Sequence, residues 1–179
     1  MVKKILIVIS VIILLFVAFI AYSGFFANVE ITEKEVGPYF MVGKEYLGDY
    51  KNSGTHQDSI YKDLVAKDFT IEAGFGIYRD NPKEVKAEEL RSMLGCIVNE
   101  KDTVKKTELE REGYIIQKMG VTKSAVVEFP FKNTFSIIAS VIKVYPKLEE
   151  YFITNKYQKV PALEIYKDNK IIISMEIIK

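Results

Sequence analysis

The chain has 179 residues, of which 49% are hydrophobic, and this suits one ordinary domain or two small ones with a packed core. The 25 lysines and arginines nearly balance the 24 aspartates and glutamates, so no strongly basic field attracts nucleic acid, and we expect no nucleic-acid partner. A lone cysteine, Cys96, and a lone histidine, His56, exclude an intrachain disulfide and a thiol or imidazole zinc cluster. We therefore expect no metal site and no cofactor.

Residues 5–27 form an uncharged run of 23 residues that predicts one transmembrane helix. Such a helix is about 35 Å long, enough to cross a hydrocarbon core of about 30 Å. A cleaved signal peptide is the alternative, but Ala21, Gly24 and Ala27 each have an aromatic residue two positions before them, which gives a poor cleavage site. We therefore predict an uncleaved signal anchor in a single-pass membrane protein that contacts the lipid bilayer through this segment.

The side of the membrane on which the soluble domain lies stays open. Lys3 and Lys4 favour a cytoplasmic N-terminus, whereas Lys34 and Lys44 lie near the other end of the apolar run. Without the first two lysines, residues 28–179 carry a net charge of −1, which gives no general attraction to anionic lipid.

Two pairs of short motifs recur in the same order and predict tandem repeats. Residues 76–81, GIYRDN, match residues 164–169, EIYKDN, at an offset of 88. Residues 49–53, DYKNS, match residues 130–134, PFKNT, at an offset of 81. The predicted units of the domain at 28–179 are repeat one at about 28–99, a charged linker at 100–112 and repeat two at about 113–179.

Each repeat is predicted to hold a strand hairpin, a helix and two further strands. The predicted elements that follow the hairpins are helix 55–67 with strands 71–78 and 93–98, and helix 135–155 with strands 162–166 and 170–177. The residues predicted to line the buried side of the second helix are Ile138, Ile142, Leu148 and Phe152. We expect Pro146 to kink that helix or to begin another.

This pattern predicts an α+β fold, in which an antiparallel sheet carries both helices on one face and leaves the other face free for a groove. The candidate site residues are Glu164 and Tyr166, which strand periodicity places on one face, with Leu163 and Ile165 on the other. If Leu163 and Ile165 face the helices, Glu164 and Tyr166 face the groove. The first repeat has Gly76 in place of the glutamate, so we expect one site.

A carboxylate beside aromatic rings binds a lipophilic cation, or acts as a general acid or base if burial raises its pKa. An exposed strand glutamate paired with a lysine is the structural alternative for Glu164. We interpret His56 as a solvated residue at a helix end and Cys96 as a small core residue.

With these motifs the sequence resembles the GyrI-like family, whose domain is a tandem of two strand-helix-strand-strand units that form a small-molecule-binding groove. Within it, the sequence is similar to the membrane-anchored testis-expressed proteins known as endoplasmic reticulum autophagy receptors. The matching positions are residues 22–24, 29–30, Tyr78, 80–82, Gly95, 129–131, Val144, Pro146, Leu148 and 161–166.

The resemblance implies an effector-binding domain in which Glu164 contacts the ligand. Some family members hydrolyse electrophilic drugs with a glutamate and a tyrosine, which implies Glu164 and Tyr166 for any such activity here. The receptors carry a long acidic tail with an adaptor motif, and because this sequence ends at Lys179 in a predicted strand, we expect their receptor activity not to carry over. They also hold this domain in the cytosol, in opposition to the orientation that Lys3 and Lys4 favour.

Three hypotheses follow from the residues and the resemblance. The first is a membrane-anchored domain that binds an amphipathic or cationic small molecule, or a protein partner, near Glu164. The second is a hydrolase of electrophilic small molecules with Glu164 as base and Tyr166 as acid or orienting group. The third is a protein-interaction adaptor at a membrane. We favour binding over catalysis.

Overall fold

The computed structural model describes residues 2–179, without the side chains of residues 103–108. The helices are α1 (Val2–Tyr22), α2 (Ser53–Ala66), α3 (Lys106–Arg111) and α4 (Thr134–Asn155). The strands are β1 (Thr32–Val36), β2 (Tyr39–Leu47), β3 (Ile71–Tyr78), β4 (Arg91–Val98), β5 (Ile115–Met119), β6 (Thr122–Pro130), β7 (Ala162–Lys167) and β8 (Lys170–Glu176). Turns of 3-10 helix cover Tyr50–Asn52, Ala87–Glu89 and Glu100–Lys105. The expected α+β fold is confirmed.

The apolar N-terminal helix α1 is shorter than the predicted segment 5–27. Its length and composition suffice to cross a membrane, a criterion that a signal sequence also meets. The helix ends at Tyr22 because a turn follows in which Gly24 has a φ of +93°, a conformation that glycine adopts without strain. Ser23 and Gly24 are buried against the rest of the protein, so the residues after Tyr22 belong to the domain and not to the helix.

All eight strands form one antiparallel sheet in the order β1-β6-β8-β7-β3-β4-β2-β5. When β1 to β4 are exchanged with β5 to β8, the order reads the same from the opposite edge of the sheet. The two halves of the chain therefore occupy equivalent places about the β7–β3 junction. The sheet curls, since Val36 of β1 and Met41 of β2 come from opposite ends of this order and share one hydrophobic cluster. This symmetry supports the predicted repeats, whose boundaries stay a prediction.

The helices α2 and α4 pack on the same face of the sheet, as predicted. The core beneath α4 contains Val29, Ala125, Val127, Phe129, Ala139, Val144, Leu148, Phe152, Ile171 and Ile173. The core beneath α2 contains Val42, Ile60, Leu64, Phe69, Leu94, Cys96, Val98, Leu109 and Tyr114. A third core lies on the opposite face and consists of strand residues: Val36, Met41, Ala73, Phe75, Met93, Ile97, Val126, Leu163 and Ile165. The expectation that this opposite face forms a groove is therefore wrong, because the curled sheet fills it with side chains.

The helix α4 differs from its prediction in the face that it buries. Its first half buries Ser136, Ala139 and Ser140, whereas Ile138 and Ile142 are exposed. The small side chains let this half lie close to the sheet and turn the two isoleucines outward. Pro146 lies inside one continuous helix, so no second helix begins there, and the expected kink stays a prediction.

The other predicted strands and helices that follow the hairpins agree with the structure to within two residues at each end. The start of α4 is capped by Asn133, whose side chain accepts a hydrogen bond from the backbone N–H of Ser136 in a reciprocal capping box. The charged linker at 100–112 contains a 3-10 turn followed by α3.

We expect Gly95→Ala to destabilise the protein by about 2 kcal/mol, because overpacking a tight core costs about 1–3 kcal/mol. Gly95 pairs with Gly43 of β2, and the added methyl group would lie 2.8 Å from Cε1 of Phe75 and would also collide with the carbonyl oxygen of Val42. Thermal unfolding of the full chain in detergent micelles, followed by circular dichroism, should show a midpoint roughly 4–8 °C lower.

Gly54→Ala is the matched control for this change. Gly54 lies in the first turn of α2, where a methyl group would meet nothing within 4 Å, so the same substitution should stabilise the helix slightly, by less than about 1 kcal/mol. Equal midpoints for the two variants would contradict the packing of Phe75 on the two glycines.

Candidate functional site

The structure places Glu164 at the centre of the sheet, on the face that carries the helices. It lies in β7 opposite Gly76 of β3, and Leu163 and Ile165 point into the strand-only core on the other side. The prediction that Glu164 and Tyr166 share one face is therefore confirmed, whereas the expectation that this face lies opposite the helices is wrong. The candidate site lies between the two sequence halves, at their junction in the sheet.

Two tyrosines hold the Glu164 carboxylate. The hydroxyl of Tyr145, on α4, donates to Oε1 at 2.5 Å, and the hydroxyl of Tyr166, on the same strand, donates to Oε2. Each carboxylate oxygen therefore has one hydrogen-bond donor. Glu164 is only 3% exposed, so the site is almost closed to water. The exposed-strand alternative, a solvent-facing glutamate paired with lysine, is excluded by this burial.

Burial dominates the electrostatics of this site. It raises the pKa of Glu164 above the ordinary value of 4.5, and the hydrogen bonds from Tyr145 and Tyr166 oppose that rise in part. Burial also raises the pKa of both tyrosines well above 10, with the nearby Glu164 charge as the next cause. Among the described side chains no lysine or arginine pairs with this carboxylate, so its hydrogen-bond donors are neutral.

Further aromatic side chains surround the two tyrosines. Tyr78 of β3 interacts with Tyr166 through their hydroxyl groups, and burial raises the pKa of Tyr78 to about 12. The Tyr50 ring stands edge-on to Tyr78 with centroids 4.8 Å apart, and the Phe131 ring lies 6.0 Å from Tyr166. Both pairs therefore join one residue from each recurring motif: Tyr78 and Tyr166 occupy matching positions, as do Tyr50 and Phe131.

Gly76 makes room for this arrangement. A methyl group at this position would lie 2.8 Å from Cε2 and 2.9 Å from Cζ of Tyr78. The ring of Tyr78 therefore folds over the glycine, on the same face as the carboxylate of Glu164 across the strand pair. Because position 76 holds a glycine and not a second glutamate, the ring of Tyr78 has space on this face beside Glu164.

Sequence reasoning missed Tyr78 and Tyr145. The offset of 88 residues that matches Gly76 to Glu164 also matches Tyr78 to Tyr166, so the repeat contained the signal for Tyr78. Tyr145 has no such signal, because its contact with Glu164 depends on how α4 lies across the sheet.

The cysteine and histidine have the roles expected of them. Cys96 is buried, and burial raises the pKa of its thiol to about 12, as suits a core residue. His56 is exposed, with its ring 4.2 Å from the ring of Tyr46. His56, Lys44 and Asp63 border a surface depression of about 450 Å³. Glu164 does not line this depression.

Known proteins resemble this chain in sequence and in fold. No family model matches the sequence. Testis-expressed protein 264 of Homo sapiens and its homologue in Mus musculus are each 27% identical over 164 residues, which cover 86% of this chain. The chain spans about half the length of these curated relatives. The similarity to the testis-expressed proteins that the sequence motifs indicate is therefore confirmed.

Solved structures establish the fold. The C-terminal domain of EcmrR superposes with a TM-score of 0.65 at 16% identity and covers 84% of this chain and 98% of that domain. This chain has the GyrI-like fold. The GyrI-like protein SAV2435, solved with tetraphenylphosphonium bound, has a TM-score of 0.55 at 13% identity and covers 83% of this chain and 94% of its own.

A second EcmrR structure, in a complex with DNA, covers 99% of this chain and 69% of EcmrR at 14% identity. Proteins with this GyrI-like fold thus include one that binds DNA, and the absence of a nucleic-acid partner for this chain stays a prediction from its charge.

Glu164→Gln should remove a pH dependence of stability. Because the pKa of Glu164 is raised above 4.5 in the folded state, the folded protein retains this proton at pH values where the unfolded chain has lost it. The contribution of Glu164 to stability is thus fully present below the unfolded pKa and is lost as pH rises through the folded pKa. The unfolding midpoint of the wild type, measured relative to that of Glu164→Gln, should decrease as the pH rises above 4.5.

Glu33→Gln is the control for this titration. Hydrogen bonds, first from Lys123 and then from Tyr151, lower the pKa of Glu33 to about 2, so its stabilising contribution is lost only as pH falls through that value. The unfolding midpoint of Glu33→Gln should therefore change with pH in the same way as that of the wild type above pH 4.5. A constant difference between wild type and Glu164→Gln would contradict the raised pKa of Glu164.

Proposed function

We propose that this chain is a membrane-anchored GyrI-like domain that binds an amphipathic or cationic small molecule at Glu164, with Tyr166 and Tyr145 as contacts. The observation that carries the proposal is the buried carboxylate held by two neutral hydroxyl groups at the centre of the sheet. The proposal places the anchor in α1 and the site beneath α4.

A cation is the ligand charge that this site favours. A buried carboxylate without a cationic partner is costly to ionise, and a bound positive charge would offset that cost. The rings of Tyr78, Tyr145 and Tyr166 add faces to which a cation is attracted. A ligand cation would therefore stabilise the ionised form of Glu164 and gain affinity from it.

Apolar surface for the rest of such a ligand is offered by the aromatic rings beside Glu164. The ring of Phe131 lies 6.0 Å from that of Tyr166, and the ring of Tyr50 lies 4.8 Å from that of Tyr78. Tetraphenylphosphonium, the molecule bound in SAV2435, combines a positive charge with apolar rings and has the chemistry that we propose here.

The raised pKa of Glu164 supports hydrolysis of electrophilic small molecules as a second candidate function. In this mechanism Glu164 acts as general base and Tyr166 as acid or orienting group. Turnover that is unchanged in Glu164→Gln would exclude the assignment. The adaptor hypothesis has mixed support. It is favoured by the filling of the expected groove with side chains and opposed by the burial of Glu164, which this hypothesis places in solvent.

Glu164→Gln should weaken binding of tetraphenylphosphonium by at least about tenfold, equivalent to about 1.4 kcal/mol, because the charge is removed while the shape is kept. The measurement is the ligand-induced rise in unfolding midpoint of the full chain in detergent. At 100 times the dissociation constant the wild type gains about 2.7 kcal/mol. Triphenylphosphine oxide, a neutral compound with three phenyl rings on phosphorus in place of four, should give a smaller rise.

Glu128→Gln is the matched control for binding. Glu128 is a surface carboxylate that pairs with Lys34 and Lys170 and with none of the residues of the candidate site. Loss of its charge should leave the affinity for tetraphenylphosphonium unchanged. Equal affinities of wild type and Glu164→Gln for the cation would overturn the assignment of Glu164.

We expect the full chain to stay in the membrane pellet after alkaline carbonate extraction, with residues 2–27 present in its intact mass. Arginine at both Val11 and Leu14 should release it, since each charge at the centre of a spanning helix costs about 2.5–3.5 kcal/mol. Ile153→Arg, on the exposed side of α4, should remain in the pellet. A soluble mature chain without the apolar segment would contradict the anchor.

A further inference from the structure

The first half of α4 exposes a row of large apolar side chains. Phe135, Ile138 and Ile142 are 47%, 47% and 59% exposed, and their spacing places them on one side of the helix. We call these three residues the α4 stripe. Small residues occupy the opposite, buried side of the same turns, so the stripe is not needed for the core of the domain.

The stripe begins where α1 ends. The ring of Phe135 stands edge-on to the ring of Phe19, in the last turn of α1, with centroids 5.2 Å apart. Next to this contact the side-chain amide of Asn133 donates to the hydroxyl of Ser23 at 3.1 Å, and Ser23 is fully buried. The first turn of α4 is therefore held against the end of α1.

The chain that leaves α1 is also fixed to α4. The ammonium group of Lys143 donates to the carbonyl oxygens of Phe25 at 2.7 Å and Ala27 at 2.6 Å, and Val29 packs in the core beneath α4. Residues 23–29 thus follow α4 as a bound segment and not as a free linker. The direction of α1 consequently determines how the domain meets a membrane.

This geometry places the stripe at the level of the hydrocarbon boundary. A helix of 21 residues is about 31 Å long and matches a hydrocarbon core of about 30 Å, and Phe19 lies about 4.5 Å before its end. The contact with Phe19 therefore puts Phe135 at the same depth. No aspartate or glutamate occurs between Glu128 and Glu149, so this part of α4 brings no negative charge to the lipid headgroups.

We propose that the α4 stripe lies in the interfacial layer of the bilayer beside α1, so that the domain rests on the membrane through Phe135, Ile138 and Ile142. The inference rests on the membrane anchor proposed above. Apolar side chains that enter the interfacial layer are stabilised by removal of their area from water, and in this arrangement only the first half of α4, where the stripe lies, reaches that layer. The contact gives the domain one fixed face toward the lipid.

The test uses single-cysteine variants of the full chain that carry the environment-sensitive fluorophore NBD. The native Cys96 is fully buried and should take no label, which the unmodified chain verifies. The labelled variants are Ile138→Cys and Ile142→Cys in the α4 stripe, Leu14→Cys in α1 and Ile153→Cys as the matched control. Ile153 is a 72% exposed isoleucine of the same helix, and it lies about 22 Å from Ile138 along the helix axis.

Each labelled chain is reconstituted in vesicles of phosphatidylcholine and phosphatidylserine, with and without phosphatidylcholine that bears a doxyl quencher. The quencher is high on the acyl chain for positions 138, 142 and 153 and low on the chain for position 14, which lies near the middle of α1. We expect the probes at positions 14, 138 and 142 to lose roughly half of their emission and the probe at 153 to keep it. Quenching at 14 without quenching at 138 and 142 would overturn the stripe contact and leave the anchor in place. Equal quenching at 138 and 153 would also overturn it. Loss of quenching at 14 would overturn the anchor itself.

Discussion

The burial of one carboxylate in the middle of the sheet sets the requirements for everything around it. A charge removed from water costs several kcal/mol unless hydrogen bonds and neighbouring charges offset the cost. Glu164 meets this requirement with two hydroxyl groups, one from its own strand and one from α4. Tyr166 is supplied by strand periodicity, whereas Tyr145 reaches the carboxylate only when α4 is docked on the sheet. The site therefore depends on the tertiary fold and not on one segment.

The docking of α4 depends in turn on the size of its inner side chains. Ser136, Ala139 and Ser140 are fully buried and allow the backbone of the first three turns to approach the sheet closely. The same choice of small residues rotates the larger apolar ones to the outside of the helix. One face of α4 thus positions Tyr145, and the other carries the apolar surface that meets α1. The candidate site and the contact with α1 share a single structural element.

Local sequence patterns were sufficient to locate most elements of this fold, since strand alternation and the Asp-Asn turn give both strands of the last hairpin to within one residue. Alternation also grouped Glu164 with Tyr166, but it does not state which face of a sheet receives the helices. Here both faces are buried, so Leu163 and Ile165 gave no sign of their direction. Helical spacing and hydrophobicity predict that Ile138 is a core residue, but the close packing of small side chains sets the rotation of α4 and leaves Ile138 exposed. The contact of Tyr145 is a product of that rotation and was therefore out of reach of the sequence.

The pairing of Gly76 with Glu164 has a consequence for how such a site is built. The two residues are cross-strand partners at matching positions of the two halves, so a two-fold rotation that exchanges the halves also exchanges them. In a homodimer of identical halves, that place would hold either two glutamates or two glycines. Two carboxylates would repel each other and compete for the same hydroxyl groups, and two glycines would leave no charge. Because both halves lie in one covalent chain, the protein holds a single acidic group at the centre of a nearly symmetric sheet.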